Sequence, residues 1–416
     1  MNPASNESPL ILEGTECASH RDHGLGVVGA ALVLTKVNWG IGMIAMPFYL
    51  HSAGLASGIL FFLLSMLLAV DAAAVLQQLQ KCYDPTVREA SYVLVIGRSL
   101  GRAGENLTVL SLIVANWGSA VAWLKFIGDN LSRFLPLHMS SADWILIVVG
   151  PVALSAWVDE VAVLERLSQL GLLAGQLFVV LVAVHVAPHM HELPDYVASE
   201  PFMRMGTFPV AMGLAVFCNE GLVVISPSVA ASMQKPELFR SSIFLSVAFF
   251  SANYLVLAVC GDFLYSYITH GEVAQEVTMS KGFDLTAINR VAVLCYVAQL
   301  LFTFPTGLFV LFRNWEVLHP CHSHVWKRAW RSATVLSIAA VALVVPRFAD
   351  FLAAAGAVGN SVCIYILPHL ALLAESRSRG ICVSRVRIAI SWSTILVFGV
   401  LCGGLASIIS IQKLIA

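Results

Sequence analysis

The chain has 416 residues, 58% of them apolar and only 12% charged, with a formal net charge of −1. A soluble domain carries about 25% charged residues, so this composition excludes an ordinary soluble protein and points to a chain that crosses a lipid bilayer many times. No basic tract stands out, which excludes a nucleic-acid partner.

Residues 1–25 are polar and acidic and lack the basic-then-apolar order of a cleavable signal. They read as a disordered cytosolic tail. Crossing a bilayer takes about 20 apolar residues. Eleven such stretches follow: 26–50, 54–79, 106–130, 143–159 and 166–187, then 206–231, 240–262, 288–312, 331–346, 349–374 and 386–411. The links between them are short, so 26–416 reads as one all-α polytopic membrane domain. Loops on the side of the N-terminal tail carry sixteen Lys and Arg, and the opposite loops five. The positive-inside rule then puts the N-terminus in the cytosol. The nine cysteines form no CxxC pair and none falls in an outer loop, so neither a metal site nor an outer disulfide is signalled. HPCHSH at 319–324 matches no zinc spacing and reads as a solvated loop.

Two stretches break the apolar pattern. In the first, TKVNWGIGMIAMP, Asn38, Gly40, Gly42 and Pro47 all oppose a continuous helix. In the sixth, FCNEGLVVISP, Asn219, Glu220 and Gly221 do so, with Pro227 beyond. Broken helices survive in hydrocarbon only when buried in protein or lining a cavity. Breaks in segments one and six are the mark of two inverted repeats of five helices, here 26–187 and 206–374, with 386–411 added. Half-helix N-termini hold carboxylates and freed carbonyls hold ammonium groups or cations, so a zwitterionic amino acid suits the site.

Ionisable residues inside spans usually serve a pathway. Lys36 beside the first break reads as a tethered cation filling a sodium position, or as a lysine reaching back to the interface. Asp71, in LLAVDAAAV, reads as a proton carrier or as the partner of a nearby cation. Glu220 reads as a bridge across unwound backbone or as a proton carrier. Lys125, His185 and His369 read as interfacial.

KVNWGIGMIAMPFYLHSAG resembles the first-helix motif of the amino acid/auxin permease family, nearest to its proton-assisted amino-acid transporter branch. AMGLAVFCNEGLVVISPSVAASMQKP resembles the sixth-helix motif, with WLKFIGDN, VPRFADFLAAAGAVGNSVCIYILP and FGVLCGGLASI in support. The resemblance implies a LeuT-like fold of five plus five helices and an eleventh, with helices 1 and 6 discontinuous. It implies secondary transport of amino acids, with the substrate held by backbone at the two breaks: Val37, Asn38, Trp39, Gly40, Ile41 and Gly42, facing Phe217, Cys218 and Glu220. The branch usually has a histidine in helix 2 where this chain has Asp71. After Pro227 it usually has Glu-Asn, where this chain continues Ser-Val.

The leading expectation is therefore proton symport of small neutral amino acids through a multi-pass membrane protein. Asp71 or Glu220 would carry the proton and Lys36 would replace sodium. No cofactor and no metal is called for, and the partners are the substrate and the bilayer. The alternatives are a sodium-coupled or uncoupled carrier of amino acids or auxin-like acids, and a nutrient sensor on a transporter fold. An enzyme is not expected, since neither HExxH nor GxSxG occurs.

Overall fold

The computed structural model describes residues 25–83, 91–135, 137–158, 161–270, 278, 287–318, 323–345, 348–378 and 383–415. The tail before residue 25 and His319–His322 of the HPCHSH stretch lie outside these residues. Everything described is helical apart from short connections and one parallel bridge, Leu25 to Met233.

The first segment starts as α1, Val27–Asn38. A 3₁₀ turn, Ile41–Ala45, and α2, Met46–Ala53, follow. The two helical parts are bent by 58°. The chain leaves helical geometry at two residues, Trp39 (ψ 70°) and the extended Gly40. Pro47 lies in the first turn of α2, where its missing N–H has no helical partner to lose. It starts a helix here; the sequence had cast it as a breaker.

Next come α3, Leu55–Tyr83, and α4, Tyr92–Phe134, which kinks at Gly101, whose φ is +68°. Then follow α5, Ser141–Ser155, α6, Val161–Val186, and a short α7, Leu193–Ser199. The sixth segment is α8, Phe208–Phe217, and α9, Glu220–Ser232. α10, Phe239–Asp262, runs into a π-helical stretch, Phe263–Ile268. α11, Ala287–Leu318, and α12, His324–Val344, follow. α13, Phe348–Ala355, continues through π turns into α14, Leu367–Ser378. α15, Arg385–Ser393, continues likewise into α16, Gly403–Ile415.

Among the described residues, eight helices are long and apolar enough to span a membrane, and nine with the bent first pair. Two of the eleven expected spans fall short by that measure. α5 has 15 residues, about 22 Å of helix against the roughly 30 Å hydrocarbon core. α12 carries Lys327, Arg328 and Arg331 in its first turns, which take those turns out of an apolar run.

The sixth segment is less disrupted than its sequence implies. Cys218 and Asn219 form a turn between α8 and α9, yet both keep φ and ψ near the right-handed helical region. Pro227 sits inside α9, and the hydroxyl of Ser226 donates to the carbonyl of Val223, the one the proline cannot reach.

The buried apolar residues form two groups. One gathers around α2, α8, α10, α11 and the C-terminal half of α4. The other gathers around α1, α3, α9, α14 and the start of α4. Residues of the first, with Val224 and Ile225 packed on the second, line a cavity of about 130 Å³.

Candidate functional site: the cavity at the helix breaks

Lys36 through Gly42 all line the cavity, with Phe217 and Cys218 opposite. The structure thus brings the expected Val37, Asn38, Trp39, Gly40, Ile41, Gly42, Phe217 and Cys218 to one place, with Lys36 among them. Glu220 begins α9, but its side chain lies outside the described residues. Asp71 is elsewhere.

The break is held open from a distance. The carbonyl of Asn38 accepts the hydroxyl of Tyr254 at 2.7 Å. That of Trp39 accepts the Gln299 amide at 2.9 Å, and that of Gly40 accepts the Tyr296 hydroxyl at 2.8 Å. Three consecutive carbonyls therefore accept from α10 and α11, and two of them also take a backbone N–H: Asn38 O that of Gly40 at 2.9 Å and Gly40 O that of Met43 at 3.1 Å. Among the described residues the Trp39 carbonyl accepts the Gln299 amide alone and keeps a lone pair, and that amide also lies 3.5 Å from Thr303 Oγ1.

Asn38 also has a second role. Its Nδ2 donates to Leu34 O at 2.7 Å, and its Oδ1 accepts the backbone N–H of Leu222 at 3.0 Å. α9 has no cap from its own Asn219, so the first break supplies one. The contact is close because position 221 is glycine: a Cβ there would fall 2.7 Å from Val37 Cγ1 and 2.9 Å from Val37 C and O. Asn219 instead turns inward, donating to Ser65 Oγ at 3.0 Å and to Ala215 O at 3.1 Å.

Trp39 is 1% exposed and stacks on Phe249 with ring centroids 5.8 Å apart. The other cavity walls come from α4 (Asn116, Ser119, Ala120, Trp123), α9 (Gly221, Val224, Ile225) and α11 (Thr303, Thr306, Gly307, Val310). Ser119 and Thr303 donate to their own helices, and Thr303 Oγ1 also lies 3.5 Å from the Gln299 amide, so Ser119 offers the freer hydroxyl lone pairs. Among the described lining residues, Lys36 is the one with a permanent charge.

Asp71 Oδ1 accepts Arg387 Nη1 at 2.6 Å, and Oδ2 lies 3.9 Å from His369 Nε2. The arrangement is that of a partner for a cation, joining α3, α14 and α15. His369 is fully buried within the protein. Lys125 pairs with Asp129 one turn on, at 2.9 Å. Among the described residues, no group of three or more His, Cys, Asp or Glu is placed to hold a metal ion.

Sequence reasoning missed Tyr254, Tyr296 and Gln299. A signal was present: Tyr296 and Gln299 are three apart on one face of an apolar helix, and a glutamine inside such a run needs a partner.

Among solved structures, the chain resembles the Eremococcus coleocola manganese transporter, crystallised with an aromatic bis-isothiourea substituted compound. The TM-score is 0.60 at 11% identity, over 99% of this chain and 89% of that one. This likeness is one of fold. Among sequences, the chain is similar to three proteins from Arabidopsis thaliana. Amino acid transporter AVT3C is 26% identical over 88% of this chain and 86% of its own length. Amino acid transporter AVT3A is 26% identical over 83% and 77%. Amino acid transporter ANT1 is 28% identical over 67% and 68%. The model of the family described as transmembrane amino acid transporter protein matches residues 23–415. A chain matched over nearly its whole length, with its helical fold shared by a membrane transporter, belongs to the transmembrane amino acid transporter family, a family of transporters and not of enzymes.

Proposed function

We propose that this protein is a secondary active transporter that moves small neutral amino acids by alternating access in symport with protons. The observation that carries the reading is the cavity at the helix breaks. At about 130 Å³ it is small beside the roughly 300–1,000 Å³ of sites for drug-sized ligands. It is lined by a cation, Lys36, by hydroxyls, and by apolar walls from Trp123, Val224 and Ile225. Such a lining suits the carboxylate and short side chain of a small amino acid. The names of the relatives favour the same class.

In this reading Lys36 takes the place of a sodium ion. Residues 26–187 and 206–374 form two inverted repeats that rock about the breaks, with 386–411 appended. The N-terminus is cytosolic. Glu220 at the second break is the preferred proton carrier, since Asp71 is already engaged by Arg387.

The test is uptake of a labelled amino-acid mixture into proteoliposomes under an inward proton gradient, with and without sodium. Asp71→Asn and Glu220→Gln are run beside the wild type. Accumulation driven by the proton gradient alone supports the reading. Accumulation that requires sodium replaces proton symport with sodium symport. Absence of any amino-acid movement overturns the reading.

A further inference from the structure

The ends of α2 and α10 farthest from the cytosolic side, in the orientation proposed above, meet at a group of side chains that the transport reading leaves unused. Asp262, the last residue of α10, has a side chain with 0% exposure. Its Oδ1 lies 3.0 Å from His51 Nδ1, near the end of α2. Its Oδ2 accepts the hydroxyl of Tyr196 at 2.7 Å. Tyr196 is the buried residue of α7 and packs on Phe263 and Tyr267. The His51 side chain is 31% exposed, and its Nδ1 faces the carboxylate.

A buried carboxylate needs a counter-charge or a proton, because removing an ion from water costs several kcal/mol even after relaxation. Among the described residues, no Lys or Arg pairs with Asp262. The other charged groups of the covering segment are engaged or point outward. Arg204 binds Glu200 at 2.7 Å, His189 and His191 lie 3.7 and 3.6 Å from Glu192, and Asp195 is exposed. α2 offers no ionisable group besides His51 and Tyr49, and Tyr49 donates to Gly58 O. Tyr265 and Tyr267 of the π stretch are neutral phenols. His51 is thus, among the described residues, the one basic side chain within ion-pair distance of Asp262.

We propose that His51 and Asp262 form a proton-binding site at this end of the bundle, loaded from solvent through the partly exposed His51 ring. With Nδ1–H donating to Asp262, the incoming proton adds at Nε2. The resulting imidazolium neutralises the buried carboxylate and ties α2 to α10 by a charge-assisted hydrogen bond. Without that proton, a buried negative charge is held by two hydrogen bonds alone, and the junction loosens. α2 grows directly out of the turn at Ile41 and Gly42 that lines the cavity, so proton load and cavity shape meet on one helix. The consequence for coupling rests on the proposed proton symport; the site itself does not.

The experiment has two arms on purified, full-length protein. Hydrogen–deuterium exchange of residues 46–53, corrected for intrinsic rates, is compared at pH 5.5 and 7.5 in wild type, His51→Gln and Asp262→Asn. The wild-type segment is expected to exchange several-fold more slowly at the lower pH. In both variants the ratio falls to about one. Asp262→Asn keeps an acceptor for Tyr196, so it preserves packing and removes the charge. Equal pH ratios in the variants and the wild type overturn the site. In the second arm, both variants in proteoliposomes lose proton-driven accumulation about tenfold and keep counterflow exchange. Full proton-driven accumulation in Asp262→Asn removes the site from coupling. A pH-dependent junction in a wild type that moves no amino acid leaves the proton site standing and removes the transport reading.

Discussion

Asn38 caps a helix to which it does not belong: its Oδ1 accepts the backbone N–H of Leu222 at 3.0 Å, 184 residues along the chain. The two breaks therefore form one structural unit, in which the end of α1 completes the start of α9. Replacing Asn38 by Ala removes that cap and the bond to Leu34. A lost cap costs about 1 kcal/mol and a buried unsatisfied donor about 1–3 kcal/mol. Asn38→Ala is expected to lower the melting temperature in detergent and to abolish uptake. Asn38→Asp, which keeps the acceptor, is expected to retain more stability than Ala.

The three donors that satisfy the break make a second prediction. Tyr254→Phe, Tyr296→Phe and Gln299→Leu each strip one donor from the carbonyl of Asn38, Gly40 or Trp39. Gln299→Leu, which leaves the Trp39 carbonyl without its partner, is expected to destabilise by about 1–3 kcal/mol, and the two Tyr→Phe variants by about 0.5–1.5 kcal/mol, since the Asn38 and Gly40 carbonyls keep a backbone N–H donor. Because the carbonyls are consecutive, pairs of these substitutions are expected to be non-additive in a double-mutant cycle, by at least about 0.5 kcal/mol. Additive losses would mean that the three bonds do not act on a shared backbone element.

Glycines at the two breaks are not equivalent. A Cβ at Gly40 meets nothing within 4 Å, whereas one at Gly221 would fall 2.9 Å from Val37 backbone atoms. Gly40→Ala is expected to leave thermal stability within about 0.5 kcal/mol. Gly221→Ala is expected to destabilise by about 1–3 kcal/mol, as overpacking does, and to impair uptake. Melting curves of the two variants side by side decide this.

Asp71 and Arg387 join α3 to α15 at 2.6 Å, with both side chains partly exposed. Removing one partner strands the other, so Asp71→Asn and Arg387→Gln should each reduce stability. The double variant should be no worse than the poorer single. If Asp71→Asn alone removes proton dependence and leaves stability untouched, Asp71 is a proton carrier and not a structural partner.

The signals legible in the sequence were local ones. Asn38, Gly40 and Gly42 within thirteen residues marked a break, and the chain bends there by 58°. The resemblance of the first and sixth segments named Val37 to Gly42, Phe217 and Cys218, and these residues do converge on one cavity. What was not legible required partners far apart in sequence. Tyr254, Tyr296 and Gln299 look like isolated polar residues until the fold sets them against residues 38–40. Asp262 looks like a helix end until His51 and Tyr196 close around it. The depth of the sixth break was overread, because Asn219 and Gly221 lower helix propensity while tertiary packing keeps their backbone near helical geometry. Two of the eleven stretches were short or flanked by charge, and hydrophobic run length alone separates such helices poorly from full spans.

The most direct measurement is equilibrium binding of labelled small neutral amino acids to purified wild type and to Ser119→Phe, which places a ring in the cavity between the breaks. Saturable binding to wild type and an approximately tenfold or greater loss in Ser119→Phe, with melting temperature unchanged, is the predicted result. Undiminished binding to Ser119→Phe, or no binding to wild type, would contradict an amino-acid site at the helix breaks.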